Sequence, residues 1–405
     1  IGTAGSTSLN KAVWCHLSSI SYGDSTIPLQ AFSTLPIPYF NFESAIGLTV
    51  DSFDKCVNAD AIDMEAFHIA NICHDRSIAF SSFKFITDNN NSKTNFDFEE
   101  LLPVFHYQFN LLLEHLFILD FTVAVVIPVF NRSNQLTKAL NSVLNQTYLP
   151  SEIIVVDDGS DPKVEISDDR INLQRVMTNT GVSNARNLGI RTSKSNWIAF
   201  LDSDDTWHKN HLQVMVNFIQ QNPLCRFLQT NETWVRNGVH LNKKAYHKKP
   251  EGWAITPSLD RCLVSPSAVM LHRNLFDWFG VFDIHLTVCE DYDLWLRLLR
   301  YVPVGFVNIN TMTKYGGHKD QLSMAYPAMD RFRVYSLIKL YNKEGFISFK
   351  KLYKTTLLIK LNILLNGAIK RGYHKKVSYY NLIINELNDD LPKLSLSKEN
   401  NFLLN

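Results

Sequence analysis

The sequence predicts an α/β fold, a mostly parallel sheet flanked by helices, with a helical tail behind it. Three observations carry this. From Thr122 onward, apolar runs alternate with amphipathic helical segments, as strand–helix–strand units require. The first runs are continuously apolar, the mark of strands buried on both faces. Two of them, EIIVVDDGS and WIAFLDSDD, end in carboxylates, and ligands of parallel sheets sit at the carboxyl ends of the strands.

Taken in order, VAVVIPV (123–129) reads as the first buried strand. SNQLTKALNSVLNQ follows as a helix, with Leu136, Leu140, Val143 and Leu144 on one face behind a Ser133 cap. EIIVVDDGS is the second strand, GVSNARNLGIRTS a short helix, and WIAFLDSDD the third strand. HKNHLQVMVNFIQQ is a helix stopped by Asn222-Pro223. Beyond it the rhythm loosens. Asn237-Gly238 marks a hairpin turn, and a basic loop runs from Lys243-Lys244 to Lys248-Lys249. SPSAVMLH reads as a strand, and CEDYDLWLRLLRYV as a helix with Leu294, Leu298 and Leu299 inward. From about Met329 the chain is helical and basic.

A length of 405 residues exceeds one ordinary domain. The expected division is 1–119, 120–330 and a helical extension 331–405. Upstream of Thr122, the polar stretch DNNNSKTN (88–95) reads as a loop inside the first unit, and FHYQFNLLLEHLFIL as a helix. Because Glu114, His115, Asp120 and Pro128 interrupt the window 109–130, it reads as a helix entering a buried strand, not a membrane span. Lys+Arg 40 against Asp+Glu 39 leaves a net charge of +1, which carries no nucleic-acid signature. Six scattered cysteines without CxxC or Cys/His spacing read as free thiols in a reducing cytoplasm. The start at Ile1, without a Met, reads as a fragment or a processed product.

Three carboxylates crowd the end of WIAFLDSDD: Asp202, Asp204 and Asp205. Like charges this close repel unless a cation sits among them. Two carboxylates at i and i+2 on a turn suit one hard divalent cation, with positions left for phosphate oxygens. The pair alone is a weak signal, since Asp-rich turns are common and solvated. Asp205 reads as a capping acid for the helix that follows, and Asp157 as structural.

The ordered set IPVFNR, VVDDGS, GVSNARNLGI, FLDSDD and, about 90 residues later, CEDYDLWLRL resembles family 2 glycosyltransferases of the GT-A fold over about residues 122–333. The resemblance implies a nucleotide-diphosphate sugar donor (UDP- or another nucleotide) and an acceptor hydroxyl on a saccharide, lipid-linked or small-molecule acceptor. It implies that Asp158 contacts the base, with Pro128 and Asn131 in the same pocket. Asp202 lies near ribose and metal, Asp204 is a metal ligand, and the metal is Mn2+ or Mg2+. Arg186 approaches phosphate or supports the acids, and the alternative is a plain ion pair. His318, in KYGGHKDQLS, lies near diphosphate and metal, or is simply a loop histidine. Asp291 is the general base of an inverting displacement, while the alternative for Glu290-Asp291 is a complement to the helix dipole. The QxxRW motif of processive synthases is absent, so the implied transfer is non-processive.

A second resemblance covers the first part of the chain. IGTAGS, TVDSFD and DAIDMEAFHIANICHDRSIAFSSFKFITD look like the C-terminal half of methylthioadenosine/S-adenosylhomocysteine nucleosidases, of the purine nucleoside phosphorylase superfamily. That likeness implies ribose contacts from Met64 and Glu65, a stacking Phe53 and a purine-protonating Asp88. The strands carrying the water-activating acid would precede Ile1, so the expectation is a partial α/β domain. Cleavage of an N-glycosidic bond by this part is the alternative activity.

The stretch from Arg331 to Lys376 holds twelve Lys/Arg against the single acid Glu344. Two readings stand: peripheral contact with an anionic membrane at its cytoplasmic face, or a solvated basic face.

Overall fold

The computed structural model describes six strands between Gly2 and Asp88 by their backbone, together with residues 121–222, 225–317, 326–345, 347–396 and 403–404. The chain divides into two compact units, Ile1–Leu119 with Gln221–Leu224, and Asp120–Gln220 with Cys225–Asn405. In the first, β1 (Gly2–Gly5), β2 (Trp14–Tyr22), β3 (Ser25–Pro28), β4 (Glu43–Thr49), β5 (Ala61–Asp63) and β6 (Phe83–Asp88) form a mixed sheet ordered β3-β2-β4-β5-β1-β6. A further pairing joins β2 to β6.

The second unit is built on nine strands. One half of its sheet is all parallel, β10 (Trp197–Phe200), β7 (Val123–Val129), β8 (Glu152–Asp158) and β9 (Ile171–Val176) side by side in that order. The other half is mixed: β11 (Thr206–Trp207), β15 (Gly305–Gly316), β12 (Phe227–Arg236) and β14 (Val269–His272), which joins β10 antiparallel, with β13 (Val239–Leu241) paired to β12 off this path. Every residue of β7 is buried, as the continuous apolar run requires.

Helix α1 (Ser133–Leu144) lays Leu136, Ala139, Leu140 and Val143 on Val123, Val125 and Ile127 of β7. Helix α3 (His211–Gln221) adds Leu212, Met215, Val216 and Ile219 to the same core. Alternate residues of β8 point the other way, where Ile154 and Val156 meet Ala185 and Leu188 of α2 (Val182–Thr192). Each fully buried aliphatic side chain in these layers stabilises the fold by roughly 1.5–3 kcal/mol. On this second face the spacing is set by Gly189, since a Cβ there would lie 2.3 Å from Val126 Cγ1.

Helix α4 (Asn274–Phe279) precedes α5 (Glu290–Leu299), which buries Leu294, Leu298 and Leu299. The tail forms α6 (Asp330–Lys343), α7 (Ile347–Lys370) and α8 (His374–Asn388).

Several expectations are corrected. Helix α1 begins at Ser133 itself, behind Arg132, without a side-chain cap hydrogen bond, so Ser133 is its first residue and not its cap. SPSAVMLH is a strand only from Val269, because Pro266–Ala268 form a 3-10 turn. Asp205 is no helix cap: it is buried, its Oδ1 accepts the Tyr315 N–H at 3.0 Å, and α3 starts six residues later. The hairpin stands as expected, with both Asn237 (φ 49°) and Gly238 (φ 78°) in the left-handed region a type I′ turn demands.

Candidate active site

The acid-tipped strands deliver their carboxylates to one edge of the sheet. Asp157, fully buried, is structural. It accepts the N–H groups of Ser160 (2.9 Å) and Val164 (3.1 Å) and pairs with Arg175. Asp158 accepts Thr180 N–H (2.9 Å), Thr180 Oγ1 (2.8 Å) and Gly181 N–H (2.8 Å), so it fixes the turn that opens α2. Asn131, in the left-handed region at φ 54°, staples the end of β7 to the next loop. Its N–H donates to Ser160 Oγ at 2.9 Å, and its Oδ1 accepts Asp161 N–H at 2.8 Å. Pro128 is buried in β7, in register with Val156.

The crowding at Asp202, Asp204 and Asp205 is relieved by three cations from distant parts of the chain. Arg186 Nη2 lies 2.6 Å from Asp202 Oδ1, and Arg132 Nη1 lies 2.7 Å from Asp204 Oδ2. Lys314 on β15 acts on Asp202 and Asp205 through its field. Burial pushes the Asp202 carboxyl up, but Arg186, with smaller help from Lys314 and Arg132, outweighs it and leaves Asp202 below its ordinary range. Asp205 has no such partner in contact, and burial carries it well above that range.

Arg186 does more than neutralise one acid. Its Nη1 lies 2.6 Å from Glu290 Oε1, so a single buried guanidinium joins the end of β10 to the start of α5. Ser183, Arg186 and Asn187, at i, i+3 and i+4, form one polar face of α2. Ser183 Oγ donates to Leu286 O at 3.2 Å, and Asn187 exchanges two hydrogen bonds with the Phe282 backbone. That face fastens α2 to the segment leading into α5. Burial raises the Glu290 carboxyl to about 7 against the opposing pull of Arg186.

Asp291, next in α5, lines a cavity of about 680 Å³ together with Glu232, Trp234, Cys262, Lys314 and Arg333. Its Oδ1 accepts the Tyr292 N–H at 2.7 Å, and Cys262 Sγ lies 3.4 Å from its Oδ2. The cavity wall is held by a buried ion pair, Lys249 Nζ to Glu232 Oε2 at 2.9 Å. Glu232 also accepts the Trp234 indole N–H at 2.6 Å and Ser265 Oγ at 3.0 Å. Lys314 Nζ feels Glu232, Asp205, Asp202 and Asp291 together, and these acids hold its ammonium charged despite burial.

Sequence reasoning passed over Arg132, Lys314 and Cys262 as site residues. The polar i, i+3, i+4 face of α2 was the one legible signal for what Arg186 contacts. His318, Phe53, Met64 and Glu65 lie outside the described residues. Asp88 closes β6, where only the backbone is described. Among the described residues, no group of three or more His, Cys, Asp or Glu is arranged to hold a metal ion. The donor chemistry of Asp202 and Asp204, two hard carboxylate oxygen sources each already beside an arginine, does suit Mg2+ or Mn2+ bound jointly with phosphate oxygens.

Residues 124–275, which span this sheet edge, match the family model "Glycosyl transferase family 2". A protein of Escherichia coli named UDP-Glc:alpha-D-GlcNAc-diphosphoundecaprenol beta-1,3-glucosyltransferase WfgD is 30% identical over 194 residues, covering 47% of this chain and 74% of that protein. The chain belongs to glycosyltransferase family 2. An uncharacterized glycosyltransferase of Rickettsia bellii is 34% identical over 201 residues, 45% of this chain and 28% of its own length. Among solved structures, S. aureus TarS 1–349 in complex with UDP-GlcNAc is similar with a TM-score of 0.44 and 16% identity, over 66% of this chain and 92% of that one. This family 2 glycosyltransferase thus carries its matched motifs on a GT-A-like α/β sheet. The family model does not extend to the N-terminal strands, and the nucleosidase resemblance there finds no counterpart in these matches.

Proposed function

We propose that the protein moves one sugar at a time from a nucleotide-diphosphate donor to an acceptor hydroxyl, with inversion and with a divalent metal. The observation that carries this is the Asp202–Arg186–Glu290 bridge, which ties the acidic strand end to Asp291 and its cavity.

In this reading Asp291 takes the proton of the acceptor hydroxyl. The freed oxygen attacks the anomeric carbon from the face opposite the nucleotide, and the bond to the diphosphate breaks with its electron pair leaving on the diphosphate. A positioned base of this kind contributes roughly 10²–10⁴-fold. Asp202 and Asp204 would hold the Mn2+ or Mg2+ ion, which supplies neutralisation of the leaving diphosphate. Pro128, Asn131 and the Asp158-fixed turn border the nucleotide end, and Arg186 keeps Asp202 ionised and aimed. His318 is assigned to the same diphosphate end by resemblance alone. The name of WfgD supports a uridine nucleotide donor and a lipid-diphosphate-linked saccharide as acceptor.

A panel of UDP-sugars assayed for UDP release with Mn2+ tests this. Asp204→Ala and Asp291→Asn are each expected to lose roughly 10²–10⁴-fold in turnover. Unchanged turnover in both variants would remove the role assignment, and full activity in chelator would remove the metal.

A further inference from the structure

The helical hairpin formed by α7 and α8 carries a charge pattern that the transfer reaction does not use. From Gly345 to Asn385 there is no Asp or Glu, while Lys350, Lys351, Lys354, Lys360, Lys370, Arg371, Lys375 and Lys376 fall in the same span. Several of these cations make internal contacts, and even exposed Arg371 donates from Nη1 to Gly367 O at 2.8 Å. Lys360 is buried and lies 3.1 Å from Asp330 Oδ1, Lys354 pairs with Asp390 at 2.6 Å, and Lys350 donates to Pro392 O at 2.9 Å. Lys351, Lys370, Arg371 and Lys375 are exposed.

Apolar side chains share that exposure. Ile359, Ile363, Ile369 and Tyr373 are each more than half exposed. On α7, Ile359, Ile363 and Lys370 stand at i, i+4 and i+11, within about 40° of one another on one helix face, and Lys351 lies at the edge of that face. The face runs into the α7–α8 turn, where Gly372 (φ 68°) reverses the chain and leaves Lys370, Arg371, Tyr373, His374 and Lys375 at the tip. A surface selected only for solubility mixes both signs of charge and keeps large apolar side chains few. This face is single-signed and studded with isoleucines and a tyrosine, the composition of segments that lie in a headgroup layer.

We propose that the α7 face and the α7–α8 turn dock on an anionic phospholipid bilayer, the cations meeting lipid phosphates and Ile359, Ile363, Ile369 and Tyr373 entering the interface. No helix among the described residues is long and apolar enough to cross a membrane, so the contact is one of surface adsorption. The proposal stands independently of the donor and acceptor assigned above.

The test is co-flotation of the full chain with phosphatidylcholine vesicles, with and without phosphatidylglycerol. Binding is expected only with the anionic lipid, and it should fall steeply with salt as the Debye length shortens. Each cation near the surface strengthens binding about fivefold, so Lys370→Glu/Arg371→Glu/Lys375→Glu should weaken it at least a hundredfold. Ile359→Ser/Ile363→Ser should weaken it several-fold without changing the salt slope. All five positions are exposed, and unaltered thermal melting of both variants keeps the comparison clean. Equal binding to neutral vesicles, no binding at low salt, or undiminished binding of the charge-reversed variant would each overturn the proposal. So would capture of a single-stranded oligonucleotide under conditions where anionic vesicles fail to bind.

Discussion

At the scale of single residues, the Cys262 thiol has one proton and two acceptors, Val264 O at 3.2 Å and Asp291 Oδ2 at 3.4 Å. Burial, reinforced by the neighbouring Asp291 charge, pushes the thiol well above its ordinary range, so it stays protonated and donates. Lys314 from β15, Glu290 from the same helix and Cys289 also feel the Asp291 charge, and Glu232 and Arg333 line the same cavity. Donation to a carboxylate favours its ionised form. Cys262→Ala should therefore lower turnover several-fold, while Cys262→Ser, which keeps a donor to Asp291 Oδ2, stays close to wild type. Unchanged turnover in Cys262→Ala would mean that the thiol does not act on Asp291. Glu290 makes a separate prediction. Its carboxyl rises from 4.5 to about 7 in the fold, so the protonated form is the one the fold favours. Stability from this group is complete below pH 4.5 and is lost as pH rises through 7, on the order of 3 kcal/mol across the window. Denaturant titrations should show Glu290→Gln flattening that decline, and an identical slope in both proteins would refute it.

Among elements, α2 carries the tightest constraint. Its Gly189 presses on Val126, a stiff, fully buried side chain of β7 with no room to retreat. Gly189→Ala should cost about 1–3 kcal/mol of unfolding free energy by overpacking. Val126→Ala removes the obstructing methyl groups, so the double variant should recover part of the loss. Strictly additive losses would place the cost elsewhere. The elements also differ in how readable they were. β7, β8 and β10 are buried on both faces, and continuous apolar runs announce them. β9 is an edge strand with half-exposed residues, INLQRV, and lacks both a continuous run and a clean alternation. The mixed half of the sheet was hard to read for another reason. β12 and β15 pair in parallel across a long separation, with bulges at Thr230–Glu232 that break a two-residue period.

For the molecule as a whole, the identity of the acids was legible and their partners were not. DSD and the Glu290-Asp291 pair stand out because like charges cluster in sequence. The charges that balance them come from Arg132, Arg186 and Lys314, up to 112 positions away from Asp202 (314 − 202), and no local pattern ties them together. Arg186 is the instructive case. It reaches both Asp202 and Glu290 only because α2 sits close on the sheet, and that closeness is granted by the absent side chain at Gly189, one turn further along. A complete map of substitutions would then score residue 189 nearly as intolerant as Asp291, though it never meets a substrate. Intolerance at that position measures the thickness of a gap between two layers, and a map of sensitivity across this enzyme is in part a map of its clearances.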